Sequence, residues 1–203
     1  MSKILIIGDS FAADWTVKYN NYLGWPNLLA EQHQVTNLAE CGVSEYKIYR
    51  QLLSAGNLDQ YDAVIVSHTS PYRIETRQHP VHTHDSLHAN ADLIYSDIEY
   101  HAGKIVNFFN RSLTAARGFF LYHYDNEYYE TTYRLYREKI MSMLTGRPVM
   151  VLHALHSNKL FITESTVLDV TELAVVEPGL INHFSVTGNT NIFQNLTAWL
   201  QTL

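Results

Sequence analysis

The stretch Lys3-Ile4-Leu5-Ile6-Ile7-Gly8-Asp9-Ser10-Phe11-Ala12 drives an unbroken apolar run into a Gly-Asp-Ser turn. An apolar run without alternation predicts a parallel strand over Lys3 to Gly8, buried on both faces. In open α/β sheets, ligands bind beyond the carboxyl ends of the strands, near the point where strand order reverses. Ser10 falls at such a strand end. It reads either as a reactive hydroxyl or as the cap of a helix beginning near Phe11. A helix there would aim free N–H groups and partial positive charge at the serine, which suits an oxygen gaining negative charge. Gly8 allows close backbone approach in the turn. A phosphate loop is disfavoured, because no G-x-G-x-x-G is present and the turn lacks the Lys and second Gly of a P-loop.

Outward from this strand the pattern repeats. Leu23 to Gln32 has helical spacing, Val35 to Leu38 reads as a second strand, Ser44 starts a helix, and Ala63 to Val66 reads as a third strand. Strand, helix, strand, helix, strand predicts a doubly wound α/β sheet. Residues 68 to 90 show little periodicity and many His, Pro and Thr, as expected of a functional lid or loop. From Asn90 to Phe109, and again from Asn126 to Leu144, the spacing is helical. Gly118 to His123 fits a strand or a helix. Pro148 to Leu152 predicts a fourth strand, Leu173 to Val176 a fifth, and Ser185 to Leu203 ends in a helix. With no internal repeat and no linker composition, residues 1–203 are expected to form one domain.

The 203 residues suffice for one substantial core. Lys plus Arg number 14 and Asp plus Glu 20, a formal charge of −6, which lacks the basic footprint of a nucleic-acid binder. No apolar run approaches a membrane span. The short apolar run after Met1 reads as a strand and not as a signal-peptide core. Cys41 is the single cysteine, so no intrachain disulfide forms. A cytoplasmic protein is the expectation, with neither nucleic acid nor membrane as a partner and with its oligomeric state left open.

Near the far end lies Glu177-Pro178-Gly179-Leu180-Ile181-Asn182-His183-Phe184-Ser185-Val186-Thr187-Gly188-Asn189. Ser185 can cap the last helix and so position the loop that carries His183. A loop at the same carboxyl edge of the sheet can reach Ser10. A serine hydroxyl is barely ionised at neutral pH and needs a base, which imidazole supplies.

Gly8-Asp9-Ser10 resembles the first block of the SGNH (GDSL-type) hydrolases. Asn37-Leu38-Ala39-x-x-Gly42-Val43-Ser44 is similar to the second block, and His183-Phe184-Ser185-x-x-Gly188-Asn189 to the last. The resemblance implies a flavodoxin-like three-layer α/β/α sandwich with a five-stranded parallel sheet. It implies a metal-free and cofactor-free ester hydrolase, with Ser10 as nucleophile and His183 as base and then acid. The N–H groups of Ser10 and Gly42 would hold the oxyanion. Two positions depart from the pattern. The third block's Asn is replaced in Ser67-His68-Thr69-Ser70-Pro71-Tyr72-Arg73, where Ser70 is the leading substitute donor, with Thr69 and His68 as alternatives. Loss of one such donor costs roughly 100- to 1,000-fold. The Asp that orients the imidazole is Leu180 here, leaving a Ser-His dyad or Glu177 as the orienting group.

His68, His79, His82, His84, His88 and His101 crowd the middle of the chain with Asp85, Asp92 and Asp97. His82-Thr83-His84-Asp85 could ligate zinc or iron, with both imidazoles on one side of an extended loop. A polar lid without metal is the preferred reading. Asp9, His68, Tyr72 and Arg73 are candidate substrate-binding groups, and Arg77 and the Tyr-rich run from Tyr122 to Tyr136 also suit a sugar. That run equally fits a helix packing face. Trp15 and Trp25 read as core or pocket wall. The expected substrate is an O-acetylated carbohydrate or another small acyl ester. An acyltransferase on the same fold and a non-catalytic carbohydrate- or protein-binding module are the alternatives.

Overall fold

The structure, a computed structural model, describes residues 1–19, 22–161, 166–176 and 183–203, side chains 159–161 and 174–176 excepted. Five strands form one sheet: β1 (Lys3–Gly8), β2 (Gln34–Asn37), β3 (Ala63–Ser67), β4 (Val149–His153) and β5 (Val167–Asp169). All neighbours are parallel, in the order β2-β1-β3-β4-β5. This is the flavodoxin-like order, and its reversal point lies between β1 and β3. Ser10 and the segment after Ser67 therefore emerge side by side at the ligand-binding edge.

Alternate residues of β1 feed two separate cores, because successive side chains point to opposite faces. Ile4 and Ile6 pack with Trp25 and Leu29 of α1 (Trp25–Ala30) and with Ile192, Leu196 and Leu200 of α7 (Val186–Leu200). Leu5 and Ile7 pack with Ile48 and Leu52 of α2 (Glu45–Ser54) and Ile140 of α5 (Asn126–Met143). The result is a three-layer sandwich. The continuous apolar runs of β1 and β3 follow from burial on both faces.

The connection from β3 to α5 carries an antiparallel bridge between Ile74 and Leu93, then α3 (Tyr95–Ala102) and α4 (Arg111–Tyr122). Gly118 to His123 thus belongs almost wholly to a helix. The helix expected from Asn90 to Phe109 spans only α3; Phe108 and Phe109 lie beyond it, exposed. The fifth strand is Val167–Asp169, and Leu173 to Val176 lies in helix α6 (Thr171–Val176). The Asp169 carboxylate accepts from the Thr171 N–H and hydroxyl at 3.1 and 2.7 Å, turning the chain out of the sheet at that point. No helix begins near Phe11 either. The chain makes one turn there, followed by a 3-10 helix at Trp15–Val17.

Of the two serines expected at helix starts, the side chain of Ser185 caps its helix and that of Ser44 does not. Ser44 is the N-cap residue of α2, and the Ser185 hydroxyl accepts from the Gly188 N–H at 3.0 Å to start α7. Ser185→Ala should cost about 1 kcal/mol, typical of a lost N-cap. In a domain of this size that lowers the melting temperature by about 2–4 °C in a thermal melt.

Candidate active site

The turn after β1 is held from all sides by distant side chains. Gly8 pairs with Ser67 and adopts φ +155°; a Cβ there would lie 2.6 Å from the Ser67 Cβ. Gln51 of α2 clamps the same residue, accepting from its N–H at 2.8 Å and donating to its carbonyl at 3.1 Å. The buried Asp9 carboxylate accepts from the Phe11 N–H and the Ser67 hydroxyl, both at 3.1 Å. The Ser10 carbonyl accepts from the Trp15 indole and the Phe11 carbonyl from the Trp25 indole, each at 2.8 Å. Asn37 donates to the Ala12 carbonyl at 2.9 Å. These contacts explain the missing helix, since the carbonyls that would accept helical N–H groups are taken by side chains. Ser10 itself is 8% exposed, and its hydroxyl makes no hydrogen bond among the described residues.

His183 reaches this turn from the other end of the chain. Its ring centroid lies 4.6 Å from that of Phe11 and 4.4 Å from that of Trp15. Its loop is pinned by Asn189, whose side chain accepts from the Trp25 N–H at 2.9 Å and donates to the Phe184 carbonyl at 3.1 Å. Tyr22 donates to the same carbonyl. No hydrogen bond joins the Ser10 hydroxyl to His183. Glu177 and Leu180 lie outside the described residues.

The loop of Gly42 forms the opposite wall. Gly42 has φ +76°, and a Cβ would meet that of Ala91 at 2.9 Å. Its carbonyl accepts from the Asp92 N–H at 2.8 Å and the Arg73 guanidinium at 3.0 Å. The Asp92 carboxylate, fully buried, accepts from the Ser44 and Thr76 N–H groups at 2.7 Å and pairs with Lys47 at 2.7 Å. Among the described residues, the N–H groups of Ser10 and Gly42 donate to no protein acceptor.

Residues after β3 divide in their placement. His68 is wholly buried and meets Glu45 at 2.6 Å. Ser70 accepts from the Tyr72 N–H at 3.3 Å and borders a narrow cleft shared with Glu45, Arg73 and Tyr133. The Thr69 hydroxyl is buried, with no hydrogen-bond partner among the described residues. Arg73 turns inward to brace the Gly42 loop, while Tyr72 faces solvent. Behind them sits a polar cluster that sequence reading missed. Arg137 of α5, 2% exposed, contacts His153 at 2.9 Å and the Asn158 carbonyl at 3.2 Å, and Asn158 donates to the Thr69 carbonyl at 2.9 Å. Its sequence signal is a charged residue on the apolar stripe of a helix, four residues after Tyr133 and three before Ile140.

No protein-family profile matches the sequence, and no curated protein matches it. Two solved structures align over nearly the whole chain. A protein described as lipolytic and of the G-D-S-L family, from Desulfitobacterium hafniense DCB-2, is 13% identical with a TM-score of 0.50, covering 98% of this chain and 99% of that one. The chain shares the three-layer α/β/α fold of that protein. A lipase/acylhydrolase from Enterococcus faecalis is 12% identical with a TM-score of 0.46, over 98% and 93% of the two chains. Among the described residues no helix is long and apolar enough to cross a membrane.

On this fold, cavities open at different ends among the described residues. A space of about 390 Å³ opens beside Pro148 and Val149, at the amino end of β4 and away from Ser10. A larger one, about 620 Å³, is walled by Tyr72, Tyr95, Phe120 and Tyr124. A third, about 330 Å³, runs between Ala13, Cys41 and Leu87 beside the Gly42 loop. The Tyr-rich run is thus split. Tyr124 stacks on Tyr129 at 4.9 Å along the large cavity, whereas Tyr136 packs on Tyr46 and Tyr49.

Burial pushes the Asp9 carboxyl up to about 6, against the pull of the Phe11 N–H, the Arg73 charge and the Ser67 hydroxyl. The folded state therefore holds this proton more tightly than the unfolded chain does. Stability is highest with the proton on and falls as pH rises from 3.8 through about 6. The change is about 3 kcal/mol. Asp9→Asn carries no titrating group and should flatten the melting-temperature profile across that interval. A variant profile as steep as the native one would place the slope elsewhere.

Proposed function

We propose that this protein is a serine ester hydrolase, with Ser10 as nucleophile and His183 as its general base and acid. One juxtaposition carries the reading: the His183 ring rests on Phe11 and Trp15, the two side chains next to and hydrogen-bonded to Ser10. His183 takes the Ser10 proton as the oxygen adds to the ester carbonyl. The collapsing intermediate expels the alcohol, which receives that proton, and water then releases the acid by the reverse steps. The unengaged N–H groups of Ser10 and Gly42 supply the oxyanion contacts, with the Ser70 hydroxyl as third donor. Catalytic hydrogen bonds often close only when substrate binds, so an open Ser10–His183 pair in the ligand-free protein is compatible with this role. The pair works as a Ser-His dyad or with Glu177 as the group that orients the ring. The substrate class is an O-acetylated carbohydrate or small acyl ester, for which the aromatic cavity at Tyr72 offers flat faces and polar tips.

A fluorophosphonate probe followed by peptide mapping tests the reading. Covalent modification at Ser10, lost in His183→Ala, is the expected result. Intact, folded protein that stays unlabelled while still binding a glycan would instead favour the non-catalytic module, and acyl transfer to an added sugar would favour the transferase.

A further inference from the structure

Two histidines of the lid and one of α3 converge on one carboxylate. His79 Nε2 and His82 Nε2 lie 3.3 and 3.2 Å from the same oxygen of Asp97, and His101 Nε2 lies 3.5 Å from the other oxygen. The ligand atoms of His79, His82 and Asp97 all fall within 4.8 Å of one another. Two of the four residues come from the loop and two from α3. Asp97 and His101 are four residues apart on that helix, so they share a face.

We propose that His79, His82 and Asp97 form a binding site for a divalent transition metal, zinc being the first choice, with His101 beside them on α3. Two imidazoles and a carboxylate match a three-ligand protein set that zinc takes, with a fourth position open. With bonds of about 2.0–2.1 Å, neighbouring ligand atoms of a tetrahedron stand about 3.3 Å apart. The His79 and His82 separations from Asp97, 3.3 and 3.2 Å, sit at that edge length, so only the imidazole pair must close up for a cation to enter. Calcium and magnesium prefer shells of oxygen and fit poorly.

The frame that holds the ligands does not itself depend on a metal. Asn110 donates to the Pro80 carbonyl at 3.0 Å, fixing the loop between the two histidines. His79 and His82 stack with ring centroids 4.4 Å apart, and His79 is buried. One contact opposes the proposal. The Val81 N–H approaches His79 Nδ1 at 3.3 Å, so the His79 proton sits on Nε2 without metal. Coordination through Nε2 moves that proton to Nδ1 and opens this long contact. His84, which sequence spacing paired with His82, is exposed, because the loop runs through turns and is not extended.

The site clamps lid residues 79–82 onto α3. The same lid contributes Leu87 to the apolar contact with Trp15 and Cys41, so the clamp steadies the wall beside the Ser10 turn. It takes no part in the acyl chemistry and stands whether or not that chemistry occurs.

The test is metal analysis of the full chain carrying no histidine tag, followed by EDTA stripping and titration with zinc in a calorimeter. One equivalent of tight binding is expected. His82→Ala and Asp97→Asn should each weaken it by about 100-fold or more, and His84→Ala should leave it unchanged. Cobalt loading should give a tetrahedral ligand-field spectrum that Asp97→Asn removes. Circular dichroism in EDTA verifies that each variant is folded, and either ligand variant alone decides the matter. Absence of stoichiometric binding of zinc, cobalt or nickel, or binding undiminished in a folded ligand variant, overturns the proposal.

Discussion

Ser10→Ala is expected to abolish fluorophosphonate labelling and to lower turnover of short-chain p-nitrophenyl esters by about 10³- to 10⁶-fold. The hydroxyl makes no hydrogen bond among the described residues, so its removal should leave stability within about 0.5 kcal/mol. A loss of rate at unchanged melting temperature separates chemistry from folding. His183→Ala should lose a comparable amount, with a few degrees of melting temperature besides, because its ring packs on Phe11 and Trp15. The double variant should be no slower than the worse single one, since a nucleophile and its base act as one unit. Hydrolysis that persists unchanged in Ser10→Ala rules the acyl-enzyme out.

Gly8→Ala should be the most damaging single-methyl change in the fold. The added Cβ would stand 2.6 Å from the Ser67 Cβ and 2.7 Å from its carbonyl oxygen. The neighbour is the backbone of a central strand, which cannot rotate away as a long side chain can. β1 and β3 are hydrogen-bonded here and buried from both faces, so relief requires prising the sheet apart at its reversal point. Overpacking of this kind, together with the strained backbone, costs about 3–5 kcal/mol. The expected fall in melting temperature is about 10 °C or more. Gly118→Ala serves as control: it lies in α4 with nothing within 4 Å of the added carbon, and should be neutral or slightly stabilising. Equal behaviour of the two variants would disprove the close-approach account.

The parts of the fold that were legible are those set by local patterns. β1, β3 and β4 announce themselves as apolar runs, and the Ser44 and Ser185 caps sit at the starts of periodic segments. The misreadings share a cause. A Gly-Asp-Ser turn looks like a helix start when its carbonyls are assumed free, but the indoles of Trp15 and Trp25 take two of them. Leu173 to Val176 is apolar enough for a strand, yet the chain turns at Asp169, whose carboxylate accepts from Thr171, and continues as a helix. Buried polar partners such as Gln51 with Gly8, or Asn158 with Thr69, lie 43 and 89 residues apart and leave no spacing to read.

Sequence by itself determined the class of fold and the order of its strands' signals, because burial on two faces imposes continuous apolar runs and exposed helix starts demand caps. It also singled out Ser10, Gly42 and His183. Only the tertiary structure decided that His183 rests on the rings around Ser10, that Arg73 braces the Gly42 loop, and that Asp97 and His101 complete a cluster with His79 and His82. Those are contacts between segments distant in the chain, and their geometry is set by how helices and loops pack on the sheet, which no local pattern encodes.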